Sequence, residues 1–257
     1  MKDTLVSRIK EVTLKDPILV EGLPGVGHVG KLVADHMVEE LKAEKIIEIY
    51  SPHFPPQVMV KEDGTIKQVR NEIYAYHGKN DEPDLLILIG DYQSATNEGH
   101  YELCSIFLDI AQSFHVKRIY ALGGYGTGQF VDKPNVMGAA TSIELVEEMK
   151  QKDVVFHENE PGGGIIGVSG LLLGMGALRG IDAVCLMGVT SGYLVDPKAA
   201  SEVLRILSGI LGIEVSMQAL EERAKEMEKI IGKLQEMERA QAPYEAVGGD
   251  EDLRYIG

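Results

Sequence analysis

Gly25-Val26-Gly27-His28-Val29-Gly30 is the segment whose residue types and spacing come nearest to a known chemistry. Glycines at the first, third and sixth places of a strand-to-helix turn let backbone approach a pyrophosphate, which then rests on the free N–H groups of the helix. Glu48 stands near the distance at which such a fold places its ribose-binding acid. The lead-in Glu21-Gly22-Leu23-Pro24 argues against a dinucleotide site, because the usual strand runs straight into its first glycine. Read instead as a phosphate loop, Gly25 to Gly30-Lys31 is followed by Leu32, where a magnesium-binding Ser or Thr hydroxyl is needed. Neither ATP nor NAD is an expected ligand, and no cofactor is predicted.

Four further glycine clusters invite a site: Gly90-Asp91-Tyr92-Gln93-Ser94, the run from Gly123 to Gly128, the run from Gly162 to Gly167, and Gly188-Val189-Thr190-Ser191-Gly192-Tyr193. In an open α/β sheet such loops gather at the carboxyl edge, where ligands bind. Asp91, Tyr125, Thr127 and Tyr193 are the candidate lining of a pocket there. The alternative is that short, crowded loops need glycine for positive φ. The seven histidines are scattered without the HxxxH or HExxH spacing of a metal site. Gly167-Val168-Ser169-Gly170 misses a nucleophile elbow by one residue. Cys104 and Cys185 lie in apolar surroundings without a CxxC partner and read as buried thiols. No catalytic residue and no metal ligand is predicted, so the chain is expected not to be an enzyme.

These loops need strands and helices to hold them. Apolar, β-branched runs at 18–21, 45–50, 57–61, 68–76, 85–89, 118–122, 154–157 and 183–187 read as strands. Leu85 to Ile89 is apolar at every position, as in a strand buried on both faces. Glu62-Asp63-Gly64 reads as a hairpin turn between two of the runs, which makes the sheet mixed. Helices are predicted at 29–41, 98–114, 138–151, 169–179, 197–211 and 216–242, with Asp196-Pro197 as a strong helix start. The expected fold is α/β and three-layered: a mostly parallel, mixed sheet with helices on both faces. The predicted division is an α/β core at 1–212, a long amphipathic helix at 213–242 and a flexible acidic tail at 243–257.

On the last helix Met217, Leu220, Ala224, Met227, Ile231 and Leu234 follow at spacings of 3, 4, 3, 4 and 3, a stripe that packs on its own domain or on another chain. After Pro243 an acidic tether with two adjacent glycines leads to Leu253-Arg254-Tyr255-Ile256-Gly257, an apolar and aromatic tip that reads as a docking peptide. The formal charge of −15 repels phosphate backbones and anionic lipid, which argues against nucleic-acid and membrane-surface roles. No segment reaches the ~20 apolar residues of a membrane-spanning helix. Charges scattered through the first residues leave no signal-peptide core, so the protein is expected in the cytoplasm.

Several segments in order resemble the proteasome assembly chaperone family, in its archaeal, ATP-independent branch. They are Leu19-Val20-Glu21-Gly22-Leu23-Pro24-Gly25-Val26-Gly27, Asp91-Tyr92-Gln93, Gly123-Gly124-Tyr125-Gly126-Thr127-Gly128, the run from Gly188 to Ala200, and the terminal Asp252-Leu253-Arg254-Tyr255-Ile256. The resemblance covers nearly the whole chain. It implies a nucleoside-phosphorylase-like fold without that chemistry, and homo-oligomers whose tails contact 20S proteasome α subunits. It carries a partner-binding role onto Leu253, Arg254, Tyr255, Ile256 and Gly257. The family's tails often end with a hydrophobic residue, Tyr and any residue, whereas here Tyr255 is third from the end. The alternative function is a small-molecule hydrolase or phosphorylase acting on a nucleoside-like ligand at the glycine loops. Two arginines or a His–carboxylate pair converging there would favour the enzyme, and an open or apolar edge would favour the binding protein.

Overall fold

The computed structural model describes residues 1–156, 164–227 and 229. Among these residues the chain forms β1 (Leu5–Arg8), β2 (Ile18–Gly22), α1 (Val29–Glu40), β3 (Glu44–Tyr50), β4 (Val58–Val60), β5 (Ile66–Gln68), β6 (Asn71–Tyr76), β7 (Leu85–Gly90) and α2 (Asn97–Ser113). These are followed by β8 (Arg118–Gly126), β9 (Val136–Ala140), α3 (Ile143–Lys150), β10 (Val154–Val155), α4 (Val168–Leu178), β11 (Asp182–Thr190) and α5 (Pro197–Leu211).

Nine strands form one sheet in the order β1-β3-β6-β7-β2-β8-β11-β9-β10, and β4 and β5 form a separate hairpin. The centre is parallel: β2 pairs with β7 and β8, and β8 with β11. Antiparallel strands flank it on both sides. The apolar run of β7 is buried at every residue, because helices cover both faces. On one face α2 and α4 pack Leu103, Phe107, Val168 and Leu172 against Leu19, Leu86 and Ile119. On the other, α1, α3 and α5 bring Val33, Met37, Leu145, Val203 and Leu207 onto Val20, Ile87 and Leu186. The expected three-layer α/β architecture with a mixed sheet is the one observed.

The helix starts follow from their caps. The Thr96 hydroxyl accepts from Gly99 N, Ser142 from Leu145 N and Asp196 from Ala199 N, with Pro197 in the first turn of α5. Gly212 ends α5 in the left-handed region at φ +68°.

Three elements differ from expectation. Residues 136–140, of which 138–140 were expected in a helix, form β9 against β11. A Cβ on Gly138 would collide with Val154 and Phe156, so the small residues there answer to crowding beside β10 rather than to helix propensity. The single strand expected at 68–76 is two, because the chain turns at Val69-Arg70 from the hairpin into the main sheet. β1 was not expected. It is an edge strand whose residues are mostly exposed, so its sequence lacks a period-two apolar pattern.

Beyond α5, Ile213 and Leu220 are buried in the α1–α5 cluster, and His36 Nε2 lies 2.6 Å from the Ser216 carbonyl. Residues 218–227 are helical. Leu220, with Met217 beside it, therefore packs on the chain's own domain. Ile231, Leu234 and the rest of the predicted helix lie outside the described residues, as do the tail and Leu253 to Gly257.

Candidate functional site

The parallel strands β7, β2, β8 and β11 all end at one edge of the sheet, and the glycine-containing segments at the ends of these four strands lie there. β6 enters at the same edge, since Asn71 pairs with Gly90. The β4–β5 hairpin therefore stands there too. Its base is held by Asp91, whose carboxylate takes Lys67 Nζ at 2.8 Å and Arg70 N at 3.2 Å.

The first glycine loop is a packing device. Gly27 has φ +60°, and a Cβ there would lie 3.1 Å from Thr190 Oγ1. A Cβ on Gly30 would run into the Leu122 carbonyl, so glycine lets α1 lie against β8. Val26 leans over Gly126 and Gly192, and Gly27 O accepts from Asp196 N at 2.9 Å. Val29 and Gly30 are buried, so the start of α1 faces protein where a pyrophosphate would have to sit.

Gln93 locks this edge. Its Nε2 donates to the Pro24 carbonyl at 2.7 Å, and its Oε1 accepts from Val168 N at 3.0 Å. One side chain thus joins the β2–α1 loop to the start of α4. Beneath it Glu21 is wholly buried, accepting from Leu23 N at 2.9 Å and Ser169 Oγ at 3.0 Å. Burial pushes its carboxyl up to about 7, against the pull of those two hydrogen bonds. Cys104 and Cys185 lie close enough for Glu21 to reinforce the effect of burial on them. The Cys104 thiol is pushed up to about 12 and that of Cys185 is raised as well.

The four pocket candidates do not converge. Asp91 is spent on the hairpin base. Thr127 Oγ1 is spent on backbone carbonyls, Gln129 O in its own turn at 3.0 Å and Thr190 O at the end of β11 at 3.2 Å. Tyr125 is half-buried, and Tyr193 is 76% exposed, with its hydroxyl over Gly128. Two cations near the edge are engaged by acids: Arg70 by Glu48 and Glu72, and Lys31 by Asp35. A groove of about 840 Å³ lies elsewhere, between the end of α5 and Met217, lined by Arg205, Ser208 and Ile213.

One arrangement was not legible in the sequence. His53 Nδ1 lies 3.0 Å from Thr96 Oγ1 and its Nε2 lies 3.1 Å from Glu102 Oε2. Hydroxyl, imidazole and carboxylate in a row are the parts of an acyl-transfer site. Three amides around Thr96 are spent: Ala95 N on His53 O, Thr96 N on Ser94 Oγ, and Gly99 N on Thr96 Oγ1 itself. The row caps α2 and pins the β3–β4 connection. Among the described residues no three His, Cys, Asp or Glu gather as a metal site.

What the edge offers outward is apolar. Val26, Tyr92, Phe130, Ile166, Tyr193 and Val195 are exposed on its loops, Ile166 by 96%, and the hairpin adds Val58, Met59, Val60 and Ile66. Large side chains crowded on one open edge mark an interaction surface rather than a small-molecule cleft. The fold and this edge define an open-sheet α/β protein with exposed apolar side chains along its carboxyl edge.

The chain belongs to the PAC2 family, whose profile matches residues 19–235. It is 41% identical to Methanocaldococcus jannaschii protein MJ1210 over 100% of this chain and 99% of that one. Among solved structures it resembles Pyrococcus furiosus PbaB, an archaeal proteasome activator, with 41% identity, a TM-score of 0.87 and coverage of 91% of this chain and 100% of that one. It also resembles P. furiosus PbaA, an archaeal homologue of proteasome-assembly chaperone, with 29% identity, a TM-score of 0.74 and coverage of 92% and 94%. Among the described residues no helix is long and apolar enough to cross a membrane.

Proposed function

We propose that this protein is an ATP-independent, cytoplasmic proteasome assembly chaperone or activator, not an enzyme, that binds 20S proteasome α subunits through its C-terminal tail. The observation that carries the reading is the likeness to PbaB, 41% identical at a TM-score of 0.87 over 91% of this chain. The carboxyl edge supports it, because a small-molecule enzyme needs a concave pocket with converging polar groups, and Asp91, Thr127 and Tyr193 do not converge there. The tether has four carboxylates between Pro243 and Asp252, which suits a solvated arm. Leu253, Tyr255 and Ile256 then act as the anchor, and the Gly257 carboxylate pairs with a lysine of the partner. A single tail of this size binds weakly. Several tails on a homo-oligomer bind tightly through their effective concentration.

The rival reading, a hydrolase or phosphorylase acting on a nucleoside-like ligand, has the Thr96–His53–Glu102 row in its favour; against it, the Thr96 hydroxyl already serves as the cap of α2, accepting from Gly99 N. The test is a pull-down of α subunits. Removal of Leu253–Gly257 should leave folding and mass unchanged and abolish retention, with Tyr255→Ala losing most of it. Wild-type retention by the truncated protein sinks the tail, and no retention by the full chain sinks the proteasome reading itself.

A further inference from the structure

We infer that Thr96 is an acyl-acceptor site, whose hydroxyl takes the acyl group of an uncharged activated ester while His53 accepts its proton. The inference stands on the Thr96–His53–Glu102 row and is independent of the tail-docking reading.

The direction of the hydrogen bonds follows from the partners. An ionised carboxylate can only accept, so the His53 Nε2 that lies 3.1 Å from Glu102 Oε2 carries the ring proton. In the neutral imidazole Nδ1 is then the acceptor, and the Thr96 hydroxyl 3.0 Å away donates to it. One lone pair of Oγ1 accepts from Gly99 N at 3.1 Å, and the other is left for attack. A hydroxyl set against an imidazole that is itself oriented by a carboxylate is an activated nucleophile.

The hydroxyl is also held in place and within reach. Thr96 N donates to Ser94 Oγ at 3.0 Å, and Thr96 O accepts from His100 N at 3.1 Å. Thr96 itself is exposed, whereas Ser94 beneath it is buried. The amides of Asn97 and Glu98 open α2 and precede the first carbonyl the helix could offer them. They follow the hydroxyl directly in the chain and can take the charge that develops on the ester oxygen.

The transfer is a single covalent event. Thr96 Oγ1 bonds to the carbonyl carbon of the ester, and its proton passes to His53 Nδ1. The bond from that carbon to the leaving oxygen breaks, the oxygen keeps the electron pair, and the imidazolium returns its proton to it or to water. A turnover would disturb the cap of α2 in every cycle, whereas one transfer disturbs it once. Charge sets the class of donor. Glu98 and Glu102 stand on the first turns of α2 in a chain of formal charge −15, a field that repels anionic acyl donors.

The test incubates the full chain with p-nitrophenyl acetate and reads acetylation residue by residue in a mass spectrometer. Acetyl should appear on Thr96 about a hundredfold faster than on Ser142, the hydroxyl that caps α3 beside Glu144. His53→Gln should slow labelling of Thr96 about a hundredfold, and Glu102→Ala, an exposed change, about tenfold. Thr96→Asn keeps a cap on α2 and should carry no label, whereas Thr96→Ser should carry it. An unlabelled Thr96, or one labelled no faster than Ser142, overturns the inference. Wild-type labelling in either His53→Gln or Glu102→Ala overturns it as well.

Discussion

Ser169 Oγ donates to Glu21 Oε2 at 3.0 Å across 148 residues of sequence, tying the start of α4 to the central strand beneath the glycine edge. The carboxyl it meets is wholly buried, and its partner is a neutral hydroxyl rather than a cation.

Stability should therefore fall as pH rises. The Glu21 carboxyl lies at about 7 in the folded chain against its ordinary 4.5, so the folded state holds the proton more tightly than the unfolded one. The stabilisation is complete below pH 4.5, is lost as pH rises to 7, and amounts to roughly 3 kcal/mol. Glu21→Gln keeps an acceptor for Leu23 N and has no proton to lose. Denaturant melts should show a wild-type decline between pH 4.5 and 7 that Glu21→Gln lacks. Equal slopes in the two proteins would show Glu21 to be ionised when folded.

Gln93→Ala should cost about 1–3 kcal/mol, because it leaves Val168 N and the Pro24 carbonyl without their partner. The change should be read in thermal melts and in faster amide exchange at Val168.

How much of this edge could be read from residues alone depends on the range of the signal. β7 was plain, since Leu85 to Ile89 is apolar throughout, and the Asp63-Gly64 turn marked the hairpin locally. The cap Asp196 is likewise local, whereas the helix start at Ser142 was placed four residues too early. The Gln93 clamp, the Glu21–Ser169 bond and the His53 row each join residues far apart in the chain, and no short pattern encodes them. Tyr193 and Thr127 have the residue types of a pocket, but turn geometry spends one and leaves the other in solvent. The apolar edge was hidden because its members stand singly in different loops.

Leu220→Ala should cost about 2–5 kcal/mol, as a fully buried leucine in the α1–α5 cluster leaves a cavity when truncated. Met227→Ala, at a half-buried place on the same stripe, should cost distinctly less within one chain. Comparable losses at the two positions would mean that Met227 also packs against a neighbour.

Calorimetric titration with ATP or NAD should give no dissociation constant of about 10 μM or tighter. Val29 and Gly30 are buried at the start of α1, and Thr190 closes on Gly27. Binding at that strength would require the loop to open.

The position of β2 has a consequence for the newborn chain. This strand lies near the N-terminus, yet its two neighbours are β7 and β8, so Leu19 aligns with Leu86 on one side and Ile119 on the other. At about 5–20 residues per second, a ribosome needs roughly 5–20 s to synthesise the stretch between β2 and β8. Pairings this distant in sequence also form slowly once the chain is free. Until β7 is made β2 has no strand to pair with, and until β8 is made its second edge and the side of α1 that packs on β8 stay open to whatever else is in reach.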